Sequence, residues 1–305
     1  MRVGDDMERI FGGSAGHVNR TFRVRQSRRI SAASGRFAVQ CAGRQPPREN
    51  VLTSAPIRDL AAVRAVEERA FNAWPALQTV FCGGWLFRFA EGYTKRANSA
   101  SALAPADTPF DSVRETAAAL YAAHGLPLIF RLSPLAGSAI DTALDAAGFR
   151  RMDETLVMTA PLDGYTAAPD RAVAIQAAPD EAWNAGFADI HAIPAAARRT
   201  HDRMLACIRL PAAYATLAED GGAPVAYGLA VAERGMVGLF DIVTRPAARR
   251  RGVGRRLTAA LLDWGRSRGA TAAYLQVVAT NDPALALYRR LGFSEFYRYH
   301  YRVKP

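Results

Sequence analysis

Cysteine, lysine and long apolar runs are the scarce features of this chain, and each scarcity excludes something. The 305 residues hold three cysteines, Cys41, Cys82 and Cys207, an odd and scattered set. That set gives neither a disulfide framework nor a zinc site, suits a reducing cytoplasm, and reads as small buried apolar side chains. No apolar run approaches the length of a bilayer-spanning helix, so no membrane partner is expected. Lysine occurs only at Lys95 and Lys304, so the basic charge is nearly all arginine; with the abundant alanine this suggests a GC-rich, bacterial genome. Neither a basic strand interleaved with aromatics nor a recognition helix accompanies that charge, and nucleic acid is not expected as a partner.

The net charge is +11, and +6 of it lies in residues 1–50, where ten arginines face Asp5, Asp6, Glu8 and Glu49. This stretch is rich in Gly, Ser and Arg and lacks periodicity, so it reads as a disordered extension; its acids spoil a transit-peptide pattern. From Ile57 a helix pattern runs to about Ala73 and breaks at Trp74-Pro75. Strand-like runs follow at Gly84–Phe89 and Tyr93–Ser99. A helix at Phe110–Ala123, a strand at Leu128–Leu132, a helix at Ala136–Ala147, then Gly148-Phe149 and a strand at Thr155–Thr159 complete the first half. Residues 163–171, with Gly164, Pro169 and Asp170, form a linker.

The second half carries the chemical signal. A strand, Val237 to Thr244, stops at Pro246, and Arg249-Arg250-Arg251-Gly252-Val253-Gly254 opens a helix whose Val253, Leu257, Leu261 and Trp264 share one face. A glycine-rich turn at a helix start offers unpaired N–H groups and the positive end of the helix dipole, and the arginines add mobile charge. Such a turn suits a polyphosphate. It is not the P-loop pattern, since no Gly-Lys-Ser/Thr follows, and it lacks the third glycine of the dinucleotide fingerprint. Next come a strand from Ala272 to Val278 and a short helix opened by Asn281 or Asp282, with Pro283 in its first turn and Gly292 past its end. Tyr288 lies within that helix, and Phe293 follows it.

The order Arg-x-x-Gly-x-Gly, helix, strand, Asn-x-x-Ala-x-x-Leu-Tyr, Gly-Phe resembles the GNAT acyltransferase superfamily over roughly Ala172 to Pro305. The first half echoes the end of the second: Gly148-Phe149 and Gly292-Phe293 lie 144 residues apart, each after a strand and a short helix. The first copy lacks the Arg-x-x-Gly-x-Gly turn and a counterpart of Tyr288. The expectation is therefore an α/β (α+β) chain of two GNAT-like domains, each a mixed, mainly antiparallel sheet flanked by helices. Residues 51–162 form a degenerate copy and residues 172–305 the N-acetyltransferase domain. Any αβ unit ending in Gly-Phe offers a second explanation of the echo.

The resemblance implies acetyl-CoA as co-substrate, no metal, and direct attack by a primary amine of a small molecule or peptide. It implies that the main chain of Ile242, Val243 and Thr244 pairs with the pantetheine arm, and that Arg249, Arg250, Arg251, Gly252, Val253, Gly254 and Arg255 bind pyrophosphate. Asn281 touches the cofactor, caps its helix, or does both. Tyr288 acts as general acid to the thiolate or is a core aromatic. The base is open: Asp241 is the first candidate, expected to alternate away from Phe240 and Ile242, with Glu233, His191 and His201 in the same half. His191 and His201 read as surface-helix residues, and His300 as packing within an alternating strand. In the first half, Trp85, Arg88, Asn98 and the segment Gly92–Ser99 either line an acceptor pocket or satisfy one another. The competing class is a CoA-binding regulator or scaffold without turnover, which has no use for Tyr288. The first domain either closes over the acceptor or forms a dimer surface.

Overall fold

The computed structural model describes residues 59–104, 109–219 and 222–305. The basic stretch 1–50 and Cys41 lie outside them. Eleven strands form one sheet. In chain order the elements are α1 (Leu60–Ala73), β1 (Gln78–Cys82), β2 (Trp85–Phe89), β3 (Ala100–Ala102), α2 (Phe110–Ala123), β4 (Ile129–Leu132), α3 (Ser138–Ala146), β5 (Arg150–Pro161), β6 (Val173–Gln176), α4 (Glu181–His191), α5 (Ala195–Ala206), β7 (Ala212–Ala218), β8 (Pro224–Glu233), β9 (Met236–Thr244), α6 (Val253–Ser267), β10 (Ala272–Val278), α7 (Asp282–Arg290) and β11 (Ser294–Val303).

The strand order is β1-β2-β3-β4-β11-β5-β10-β9-β8-β7-β6. Pairing is antiparallel except at β3–β4 and β9–β10, which are parallel. The last strand of each half thus lies in the other half's territory. β5 pairs with β10 along Ala272↔Pro161 to Val278↔Thr155, and β11 pairs with β4 along His300↔Leu132 to Val303↔Ile129. At the centre β5 and β11 run antiparallel, Ser294 opposite Thr159 and Val303 opposite Arg150. Each half is completed by the other's final strand.

The sequence pattern explains the layers. In β7, Ala213, Ala215 and Leu217 join the cluster under Leu257 and Leu261 of α6, whereas Tyr214 faces Trp183 of α4. Helices α6 and α7 therefore cover one face of the second half, and α4 and α5 the other. Helix α1 lies on the α4/α5 side and ties the halves together: Arg69 donates from Nε to the Glu233 carbonyl at 3.2 Å and from Nη2 to the Arg234 carbonyl at 2.9 Å. Asp59 caps α1 through the Ala62 amide, 2.9 Å away.

Two expectations need correction here. Tyr93–Ser99 is not a strand. Glu91, Gly92 and Thr94 all take positive φ, and the Asn98 side chain accepts from the Ala90 amide at 2.7 Å and donates to the Tyr93 carbonyl at 2.8 Å. A side chain that satisfies loop backbone removes the reason to join a ladder. Cys207 is exposed at the end of α5, not buried; Cys82 is half-buried. Strand β1 was not anticipated, because its edge position leaves Val80 and Phe81 exposed and blurs the apolar signal.

Candidate active site

Strands β9 and β10 start as a parallel pair, Met236↔Ala272 to Leu239↔Leu275, and then part. Beyond that point Phe240–Thr244 and Gln276–Val278 share no pairing, although β9 stays bonded to β8 through Thr244↔Ala226, and β10 stays bonded to β5 through Val278↔Thr155. A wedge opens between the strands, edged by backbone groups that lack a ladder partner on that side. Groups of this kind are ready to bind an extended ligand.

Helix α6 begins at the wide end of the wedge. Its N-cap is Gly252, at φ +81°, and no side chain caps it, so the first-turn amides are left for another acceptor. A Cβ built on Gly252 meets nothing within 4 Å, which leaves room for a phosphate against the backbone. A Cβ built on Gly254 would lie 3.5 Å from both the Thr244 hydroxyl and the Leu287 side chain, so the turn, the end of β9 and helix α7 converge there. Arg250 also takes positive φ, +65°, a strain of about 1–2 kcal/mol for a residue with a Cβ.

The arginines divide. Arg249 Nε donates to the Thr244 carbonyl at 3.1 Å and braces the turn. Arg251 reaches Glu219 at 3.1 Å. Arg250 and Arg255 are exposed and have no carboxylate partner among the described residues. Val253 is buried under α6. Behind them Arg256 grips Asp170 with two bonds, 2.6 and 2.9 Å, which ties residues 163–171 to the helix. Asn281 is the N-cap of α7, accepting from the Ala284 amide at 3.3 Å, and it is exposed. This set suits a CoA-type pyrophosphate: an uncapped helix start, free guanidinium groups and an open glycine.

Tyr288 projects from α7 to the α6 side of the sheet and packs edge-on to Phe293, ring centroids 5.9 Å apart. Burial pushes its hydroxyl up to about 12, so it holds its proton through the neutral range.

On the opposite side the structure corrects two expectations. Asp241 does not alternate away from Phe240. The β8–β9 register shifts between Tyr227↔Val243 and Leu229↔Phe240, so Gly228 faces two residues, Asp241 and Ile242, and Asp241 takes φ +50°. This is a β-bulge, and it turns two consecutive side chains to one face. Phe240 stacks on Trp74 at 6.1 Å, and Asp241 Oδ2 meets His201 Nε2 at 2.9 Å. His201 is fully buried, not a surface-helix residue. It lies among Phe187, Tyr93 and Trp74, with ring centroids 5.0, 5.5 and 5.8 Å away. Its Nδ1 has no hydrogen-bond partner, and the Asp202 Oδ1, also without one, lies 3.6 Å away. Burial works against its charge, but Asp241, the bond to it and then Asp202 outweigh burial and raise its pKa above 6.5. The sequence reading named His201 as a candidate but set it on a helix surface. The available signal was the spacing of Ala197, His201, Met204 and Leu205, which puts the histidine on the buried stripe of α5.

The other candidates lie elsewhere. Glu233, at the hairpin end of β8, accepts from Asn72 at 3.1 Å, at the end of β9 remote from the wedge. His191 is exposed at the end of α4. His300 bonds Asp141 at 2.9 Å, away from the wedge. Trp85 packs between Phe110 and Phe130, while Arg88 and Asn98 bond the backbone around them, as one of the two readings of that segment expected.

Comparison with known proteins adds the following. A family model described as "Probable histone acetyltransferase Rv0428c C-terminal" matches residues 60–302. An N-acetyltransferase of Bacillus subtilis, YobR, described as uncharacterized, is 28% identical over 250 residues, 79% of this chain and 98% of its own length. The probable histone acetyltransferase Rv0428c of Mycobacterium tuberculosis is 34% identical over 271 residues, 84% of this chain and 77% of that protein. A solved structure of a GCN5-related N-acetyltransferase from Kribbella flavida superposes with a TM-score of 0.59 at 19% identity, covering 80% of this chain and 95% of that one; the likeness is one of fold.

Proposed function

The chain belongs to the Rv0428c C-terminal family, within the GNAT N-acetyltransferases, and from that premise we propose that it transfers acetyl from acetyl-CoA to a primary amine of a small molecule or peptide by direct attack. The observation that carries this reading is the wedge between β9 and β10, which ends at an uncapped, glycine-started helix. The proposal extends to a tandem origin, with residues 51–162 as a degenerate copy and residues 172–305 as the acetyl-CoA-binding part, acting in the cytoplasm. The β5–β11 register supports the tandem origin: Arg150 and Ser294, like Thr159 and Val303, are 144 residues apart, so the pairing is symmetric under the shift that relates the two Gly-Phe pairs.

Bound acetyl-CoA supplies an activated thioester carbonyl. The residues of the chain do the rest. The main chain of Ile242, Val243 and Thr244 offers its free edge to an extended arm. Val253, Gly254 and Arg255 give first-turn amides, and Arg249, Arg250, Arg251 and Gly252 frame the phosphate turn. Asn281 caps α7 and stays exposed for a further contact. Asp241 with His201 is the proton acceptor for the amine: the unprotonated pair, a carboxylate beside a neutral imidazole, takes one proton, and Asp202 stands behind it toward solvent. Tyr288, on the other side of the sheet, keeps a proton at its hydroxyl for a departing thiolate. A CoA-binding regulator without turnover has no use for a buried histidine–aspartate pair on one side and a protonated tyrosine on the other.

Gly252→Val is the direct test. A β-branched residue at φ +81° is strained by about 1–2 kcal/mol and fills the open space, so CoA affinity by calorimetry falls about ten-fold or more while the thermal transition persists. Unchanged affinity would sink the cofactor assignment.

A further inference from the structure

The α1 face of the sheet, beside the wedge, holds an unusual charge. Arg88 and Arg131 are each 1% exposed, and Arg96 is partly buried next to Tyr299. The Arg131 guanidinium carbon lies over the Tyr299 ring, 3.6 Å from its centroid, and Arg131 forms a two-point ion pair with Glu67, whose carboxylate also accepts from Tyr297. Glu67 is the one carboxylate bonded to any of the three arginines among the described residues. Arg88 donates to the backbone carbonyls of Trp74 and Arg96 and lies over the Phe71 ring, 5.0 Å from its centroid. Burial, then Arg131 and Arg96, push its pKa down to about 9, so the three cations repel one another and all remain charged at neutral pH. Three guanidinium groups against one carboxylate leave an excess of buried positive charge, which is costly without a counter-charge.

Several donors in the same region are also unused. Arg96 Nε, Arg131 Nε, Trp74 Nε1 and Gln276 Nε2 are buried and have no acceptor among the described residues. Native structures leave few such groups without a reason. Gln276 belongs to the parted end of β10 and accepts from Tyr299 at 2.9 Å, while Trp74 packs on His201 and Phe240. Trp74 thus lies on the β9 flank of the parted strands with Asp241 of β9 and His201 of α5, and Gln276 lies on the β10 flank, bonded to Tyr299 of β11, which neighbours Arg96; Arg131 stands farther off on β4.

Resting on the acetyltransferase reading above, we infer that the acceptor amine carries an acidic group, a carboxylate or phosphate, which docks on Arg96 beside Tyr299 while its amine faces Asp241 and His201. Arg88 and Arg131 are too enclosed to be the first contact; they hold the local potential positive. Arg96 is the least enclosed of the three, with its Nε buried and unbonded among the described residues, and its planar fork suits a carboxylate or phosphate.

The experiment uses the full chain and matched amines: the common amino acids against their carboxamides, and phosphoethanolamine against ethanolamine. Free-thiol release with acetyl-CoA gives kcat/KM, and thermal shifts with the corresponding N-acetyl products in the presence of CoA give binding. The expected result is at least one acid favoured ten-fold or more over its neutral partner; the two sets of pairs separate carboxylate from phosphate. Arg96→Gln reduces that acid-to-neutral ratio at least ten-fold, mainly through KM, and Arg96→Lys restores part of it. CoA binding of each variant by calorimetry reports its folding. If CoA binds and neither assay favours any acid over its neutral partner, or if the ratio survives Arg96→Gln, the inference is overturned. Loss of CoA binding by the unaltered chain would instead overturn the acetyltransferase reading.

Discussion

The two parallel junctions of the sheet, β3–β4 and β9–β10, follow the same order of elements and come to opposite ends. At the first, β3 is three residues long and pairs with β4 only at Ala100↔Phe130 and Ser101↔Arg131, so there is no length left in which to part. Helix α2 then starts after Pro109, without a glycine turn. At the second, β9 runs nine residues and leaves its neighbour after Leu239, and α6 starts at a left-handed glycine. One junction is closed and backed by the Glu67–Arg131 pair; the other is open and flanked by Asp241–His201. Strand length and the residue that opens the following helix decide whether this arrangement becomes core or site.

The halves nevertheless depend on each other, and removal of residues 60–162 should be the most severe test of the contrast. It deletes β5, which pairs with seven residues of β10 and lies along most of β11. The open junction would lose the partner that holds β10 on its far side. The expected outcome is loss of a cooperative thermal transition and of CoA binding together. A folded, CoA-binding fragment of residues 172–305 would show that the wedge does not need the exchanged strand.

The closed junction can be broken alone. Glu67 is fully buried, and Glu67→Gln leaves the Arg131 charge without its counter-charge, a loss of about 3–5 kcal/mol in urea unfolding. CoA affinity of the remaining folded protein should change little, because Glu67 bonds Arg131 and Tyr297 and no residue of the phosphate turn. The open junction is probed by Tyr288→Phe, which keeps CoA binding and slows turnover by about ten- to a thousand-fold if proton donation matters. An equal rate would return Tyr288 to the core beside Phe293.

The contrast also explains what the sequence could disclose. Elements with strong period or strong punctuation were legible: α6 with its apolar stripe and glycine start, α7 between Asn281 and Gly292, and the strands β9 and β10. The phosphate-turn residues, Arg249 to Arg255, lie in one continuous stretch, so local pattern was enough. Asp241 was named as the first candidate for the base, but its pairing with His201 was not legible, because it depends on a bulge that turns Asp241 toward a residue forty positions away in the chain. The exchange of β5 and β11 was equally hidden, since both strands carry ordinary alternation whichever neighbour they find. In the Gly92–Ser99 segment, β-like residues lost to a loop that Asn98 holds from inside.

The smallest effect expected is also the one with the most informative sign. His201 is buried, and Asp241 raises its pKa above 6.5 in the folded chain. The His201–Asp241 ion pair therefore adds stability that is fully present below pH 6.5 and is lost as pH rises through the raised value. Activity runs the other way, because the pair must be unprotonated to accept a proton from the amine, so kcat/KM should rise through an inflection above pH 6.5. Asp241→Asn removes the charge that opposes burial. Asp202 alone then opposes burial, the imidazole pKa falls, and both the stability step and any residual activity inflection move to lower pH. The histidine proton resonances, followed against pH, report the shift without relying on turnover. An imidazole in the Asn variant that titrates at the same pH as in the unaltered chain would show that Asp241 does not set its charge, and the proton-acceptor role would pass to another group.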